Sequence, residues 1–333
     1  MTYKGFNKDM KCRGFQYEIG KDYTQKGENR LCRNGFRACA VPLDAMSYYP
    51  PGDSRYCEVE QSGTMRKVNV DSKVASRKIK IGTEIGLTGL IKAQIAYVEE
   101  TCKGAPEKIA QGDRGHAAAQ GYGGHAAAQG TWGHAAAQGY RGYAAAQGDY
   151  GHAAAQGKFG HAAAQGYRGH AAAQGDGGHA AAQGDYGHAA AQGYRGYAAA
   201  QGDYGHAAAQ GKFGHAAAQG YSGHAAAQGD YGHAAAQGDR GHAAAQGDGG
   251  HAAAQGDYGH AAVGGKDAIA AAFGIGGRAR AALGSWIMCA EWVCTDAWHI
   301  KDVRAAQIDG EKLKPDTWYM LKGGAFVEAE ADE

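Results

Sequence analysis

Between Gly112 and Gly264 the unit Gly-x-x-Gly-His-Ala-Ala-Ala-Gln is written seventeen times, the last copy frayed, and histidine fills the fifth place in fifteen of them. Imidazole titrates close to neutral pH and binds divalent transition metals. A regular column of imidazoles is therefore a metal-capturing surface, a pH-responsive surface, or a solvated polar face copied along with the repeat. His116, His125, His134, His152, His170 and His188 are the candidate surface. No carboxylate holds a fixed place beside them to orient the rings, which weighs against metal. Tyr143 and Tyr197 stand where the other two copies would have histidine.

The second and third places vary. Asp takes the second place nine times and Tyr five times, while the third is usually Tyr, Arg, Phe or Trp. These positions form aromatic and charged rims, with Tyr140, Tyr150, Tyr167, Tyr186 and Tyr204 as candidate contacts for a protein, a glycan or a second copy of the chain. An ice-binding face would need rows of Thr, and the block holds only Thr131.

What positions these residues is the period of nine. A helix advances by half a turn over one such unit, so alternate units would face opposite sides, and two glycines per unit would each cost roughly 1 kcal/mol against Ala. Disorder and a polyproline-II bundle are the remaining alternatives. A β reading accounts for more. Gly-x-x-Gly makes a turn, and His-Ala-Ala-Ala-Gln makes a five-residue strand. Alternation then sends the sixth and eighth residues, such as Ala117 and Ala119, inward, and His116, Ala118 and Gln120 outward. The expected fold is mainly β: a parallel β-solenoid, or β-roll, with two nonapeptide units per coil. The stretch at 139–165 recurs at 193–219, an offset of six repeats or three whole coils.

The register resembles the Gly-Gly-x-Gly-x-Asp-x-apolar-x nonapeptide of RTX-type β-rolls. Ala stands at the place of the calcium-ligating Asp, so the likeness implies the coil without the metal. The small-residue strands also look like the rolls of trimeric adhesin heads.

The flanks divide the chain into a small α+β head (1–105), the solenoid (106–264) and a β cap with a C-terminal segment (265–333). In the head, Arg13–Gly20, Arg55–Glu60 and Lys80–Gly86 alternate as strands, Pro42–Tyr49 suits a short helix, and Leu87–Cys102 suits a helix leading into the repeats. In the tail, Trp298–Ile308 and Thr317–Glu328 read as strands, with Gly323-Gly324 as a hairpin turn. Phe273, Ile275, Leu283, Trp286 and Ile287 replace small alanines and are expected to close the open end of the core.

With 34 basic and 33 acidic side chains, the charge does not favour nucleic acid. Five prolines, none within the repeats, remove collagen. No apolar run suits a membrane span, and MTYKGFNKDMKC lacks the apolar core of a signal peptide. The expected location is the cytoplasm of the producing cell, or a virion. Seven cysteines without a CxxC pair suggest free thiols, and Cys12, Cys32, Cys39 and Cys57 match no common zinc spacing. No cofactor is expected.

KGFNKDMKCRGFQYEIGKDY, LCRNGFRACAVPLDAMSYYPPGDSRYCEVEQSG and DSKVASRKIKIGTEIGLTGLIKA resemble the N-terminal module of an uncharacterised family of bacterial and phage proteins, in which Ala/Gly-rich nonapeptides follow. The tail GSWIMCAEW and WHIKDVRAAQIDGEKLKPDTWYMLKGGAFVEAE is similar to that family's C-terminal segment. The resemblance implies a phage or prophage setting and brings no activity; the family usually has His where this chain has Arg37. A Gly-Phe-x-x-Cys element and an Arg-Tyr-x-x-Val-Glu strand also resemble small ADP-ribosyltransferase-like folds. That likeness implies Tyr17, Arg37 and Glu60 as catalytic candidates in a nucleotide-binding head. The main expectation is a non-enzymatic protein presenting a repetitive surface to a macromolecule or to itself. An enzymatic head and a metal- or pH-responsive histidine ladder are the alternatives.

Overall fold

The computed structural model of the chain describes residues 1–25, 35–51, 54–67, 72–102 and 109–329. Its main body is a parallel β-solenoid of about 10 turns, about 18 residues apart, from residue 109 to 289. Successive repeats alternate between two 12-stranded sheets. Each rung pairs in register with the one two repeats on: His152 lies opposite His170, and Gln156 opposite Gln174.

The interior is almost entirely methyl groups. The sixth- and eighth-place alanines, such as Ala162, Ala164, Ala180 and Ala182, are fully buried between the sheets. Two bare backbones can approach that closely only where turns carry no side chain. A Cβ on Gly157 would lie 1.5 Å from the carbonyl oxygen of Gly139, and one on Gly175 would lie 1.7 Å from that of Gly157. Gly121, in the first coil, has a φ of 119° but nothing within 4 Å of the same position.

The parallel stacking runs past residue 264: Ile269–Ala272, Arg278–Ala281 and the start of Trp286–Cys294 each continue a sheet. Antiparallel strands then end it. Trp298–Gln307 closes one sheet, and the hairpin Tyr319–Lys322 with Ala325–Glu328 closes the other, turning at Gly323-Gly324. Ile287, Ile308, Tyr319 and Leu321 seal the end of the alanine core. Leu283 and Trp286, expected to do so, are 58% and 44% exposed. They flank the Gly284 turn, so alternation turns Trp286 outward and Ile287 inward.

The head contains β1 (Thr2–Asn7), β2 (Lys11–Cys12), β3 (Phe15–Gln16), β4 (Asp22–Thr24), β5 (Phe36–Cys39), β6 (Ser54–Lys67) and β7 (Lys73–Glu84). Pairings β1–β6, β6–β7, β7–β5 and β5–β1 close on themselves as a small antiparallel barrel. Phe6, Phe36, Ala38, Cys57, Val59, Ile79 and Ile81 fill it, plugged by Met10 and Tyr17. The alternation over Arg13–Gly20 is not one strand. Arg13 and Gly14 have φ values of 51° and 79° and turn the chain between β2 and β3. A left-handed turn is invisible to a period-two pattern.

After the barrel comes α1 (Gly86–Cys102), whose buried residues Leu90, Ile91, Gln94, Ile95 and Val98 form one stripe. That stripe lies on the solenoid.

The glycine turns yield a graded prediction. Gly121→Ala costs only backbone strain of about 1–3 kcal/mol. Gly175→Ala must also push two coils apart. Thermal unfolding followed by circular dichroism should show the larger fall in melting temperature for Gly175→Ala; equal falls would mean that coil contact does not require glycine.

Candidate functional site

The repeat gives both sheets the same outward pattern: a histidine column, an alanine column and a glutamine column. Their surroundings differ. On one sheet the alanine column is exposed at Ala118, Ala136, Ala154, Ala172 and Ala190. On the other, Ala127, Ala145, Ala163, Ala181 and Ala199 are fully buried beneath the head.

On the open sheet, His116, His134, His152, His170 and His188 stack in order, with ring centroids 4.7–4.8 Å apart and planes within 9°. Parallel stacking points their nitrogens side by side and does not converge them on one point. No group of three or more His, Cys, Asp or Glu among the described residues is placed to hold a metal ion. Burial first, then the neighbouring imidazoles, lower the pKa of His134, His170 and His206 from 6.5. Across the alanine column the glutamines form a second ladder, each Nε2 donating to the next Oε1: Gln138 to Gln156, Gln156 to Gln174, Gln174 to Gln192, at 3.2–3.3 Å.

His125 is on the other sheet. It sits under α1, with its Nδ1 3.2 Å from the Thr101 hydroxyl and its ring near Tyr97. Along the same column follow Tyr143, His161, His179 and Tyr197, one coil apart. The two tyrosines bracket a pair of buried histidines, each 1% exposed. His161 Nε2 lies 3.1 Å from Asp44 Oδ1, and His179 Nε2 lies 3.0 Å from the Ser47 hydroxyl. Asp44 and Ser47 belong to the 3-10 turn Pro42–Ser47, which the sequence suggested as a short helix. Burial raises the Asp44 pKa, but the His161 charge and the hydrogen bonds of His161 and Ser72 outweigh it and hold it at about 2. Burial and His161 push His179 down to about 3. Thr88 hydrogen-bonds Gln201 at the far end of the contact.

The rims order the tyrosines unequally. Trp132, Tyr150, Tyr167, Tyr186 and Tyr204 run along one edge with centroids 4.3–5.9 Å apart, and Arg168 lies over three of the rings. Tyr140 is on the opposite edge, between Tyr122 and Phe159. The recurrent Asp has a role that sequence reasoning missed. Asp149 Oδ1 accepts from the backbone N–H of Tyr167, Asp203 from Tyr221, and Asp248 from Lys266, each one coil on. The glutamine ladder was also missed; the signal for both is an acceptor repeating at the coil period.

The three head candidates separate. Tyr17 and Arg37 line one cleft, with Lys4, Cys12 and Cys39. Glu60 is exposed on β6, beside Lys80, and does not line it. Val59 points into the barrel, so its neighbour must point out. The constellation implied by the ADP-ribosyltransferase likeness is therefore not assembled. Cys32 lies outside the described residues.

Residues 1–93 match a family described as a domain of unknown function (DUF7666). No curated protein and no solved structure matches the chain. No helix among the described residues is long and apolar enough to cross a membrane.

The histidine columns generate two expectations. Leaving a buried hydrogen-bonding group without its partner costs roughly 1–3 kcal/mol. Asp44→Ala should therefore loosen the head from the rod, seen as faster hydrogen exchange in α1 with the rungs beyond His215 unchanged; unaltered exchange in α1 would contradict the latch. The second concerns pH. The folded pKa of these histidines lies below 6.5, so the unfolded chain takes up protons first as pH falls. Stability is then flat above about pH 7.5 and is lost progressively below the ordinary histidine value. The melting temperature should be lower at pH 5 than at pH 8, less so when open-face histidines are replaced by Gln; no fall between those pH values would count against it.

Proposed function

We propose that this structural repeat protein is non-enzymatic and binds a protein partner along its open sheet. What carries the reading is that the molecule already uses the same surface once. On the covered sheet the histidine, alanine and glutamine columns receive an amphipathic helix. Its apolar stripe rests on the alanine column, while Thr101 meets the histidine column and Thr88 the glutamine column. The open sheet repeats those columns in the same register, and its alanines between the two ladders line a shallow groove from Ala118 to Gln210. A helix with aliphatic side chains in one stripe and hydroxyls at its margins complements that groove. The aromatic edge from Trp132 to Tyr204 adds side chains of the types enriched in protein contacts. The resemblance of head and tail to bacterial and phage proteins supports a partner from a phage or prophage setting.

A peptide copying residues 86–101 serves as the probe, because the chain's own copy already occupies the other sheet. Fluorescence anisotropy should show it binding the full chain. Ala154→Glu and Ala190→Glu together should abolish binding without changing the circular dichroism spectrum. A peptide that fails to bind, or binds the doubly substituted chain equally well, would refute the helix-receiving face.

A further inference from the structure

The head carries a second feature that the rod does not explain. A cleft of about 580 Å³ opens between β1, β5, the β2–β3 hairpin and Tyr48-Tyr49. Its described lining includes four cationic side chains, Lys4, Arg13, Arg37 and Lys73, and no Asp or Glu. One of the cations is held in place, and a second buries a donor without a partner. Lys4 is only 5% exposed, and its ammonium donates to the Arg37 carbonyl at 2.9 Å and lies 3.4 Å from the Cys12 thiol. Arg37 Nε is buried and has no hydrogen-bond partner among the described residues. Burial pulls the Lys4 pKa below the ordinary lysine value; the Cys12 thiol opposes that fall, and Arg37 adds to it.

Like charges brought together out of water are costly unless something anionic joins them. The described lining holds no carboxylate, and an anionic ligand would supply that charge. The rest of the lining says what else the anion carries. Tyr3, Phe15, Tyr17, Tyr23, Phe36, Tyr48 and Tyr49 are aromatic. Phe15, Tyr17, Tyr23 and Phe36 meet one another mostly edge to face, with centroids 4.8–6.4 Å apart. Such a wall suits a flat ring. The volume is in the range of small-molecule sites and far exceeds what inorganic phosphate fills.

We propose that the head cleft binds an aromatic anion of mononucleotide size, with the ring against the tyrosine and phenylalanine wall and the anionic group on Arg37 and Lys4. The site is independent of the open sheet, since it lies in the barrel and shares no residue with the groove. It needs no Glu60, and it asks for no chemistry beyond binding.

The full chain is titrated with anilinonaphthalene sulfonate, an aromatic anion that fluoresces in a dry site, and the dye is then displaced by AMP, by adenosine and by phosphate. AMP should displace it at concentrations at least about tenfold lower than adenosine or phosphate does, because ring and anion act together. Arg37→Gln should weaken AMP by about tenfold or more, with the melting profile retained. Should that variant not fold, Lys73→Gln at the rim replaces it, with a smaller loss expected. The proposal is overturned if AMP does not displace the dye, if adenosine or phosphate alone matches AMP, or if the folded variant binds AMP as the unaltered chain does.

Discussion

The rest of the molecule depends on how closely one coil lies on the next. At the turns, the carbonyl oxygen of one glycine occupies the space where a side chain of the glycine one coil later would be, as with Gly139 and Gly157. From the second coil on, that contact requires glycine where each turn begins, and a matching thinness in the strands, which alanine supplies. Once the spacing is set, residues of one type fall above one another, and each chemistry becomes a column. The stacked imidazoles, the glutamine chain and the Asp-to-backbone bonds are three results of one register. Each bond is modest alone, and their number comes from the repetition.

The same repetition makes the two faces equal in sequence, and the head makes them unequal. The inequality is written at few places. Tyr143 and Tyr197 are the departures from histidine, and both lie under or beside the head, on either side of the Asp44–His161 and Ser47–His179 contacts. Their offset of six repeats, a whole number of coils, keeps them on one sheet. The head thus buries two histidines whose Nε2 atoms meet Asp44 and Ser47, and the other sheet keeps its columns in solvent.

The coil was legible because a strict period leaves few conformations. Strand limits, the inward alanines, α1 and the Gly323-Gly324 hairpin follow from alternation and turn chemistry alone. The choice of covered sheet was not legible, since His116 and His125 both sit in Gly-His-Ala-Ala-Ala-Gln strands, and the head covers only one of them. The limit at residue 264 fell short because Ile269–Ala272 and Arg278–Ala281 keep the coil geometry after the letters have changed. In the head, register shifts between the two long barrel strands, β6 and β7, interrupt the periodic signal, and the left-handed residues at Arg13 and Gly14 turn an apparent strand into a hairpin. Tyr17 and Arg37 come together through that hairpin, which no pairwise spacing in the chain discloses.

The methyl-only interior has a thermal consequence. The heat capacity change of unfolding rises with newly hydrated apolar surface and falls with newly hydrated peptide groups. A rod of Gly and Ala uncovers little of the first and much of the second for each residue that unwinds. Its free energy of folding therefore bends only weakly with temperature, so cooling weakens the rod less than it weakens a domain built around leucine and phenylalanine. In one chain, the barrel and the rod would respond to cold in different ways.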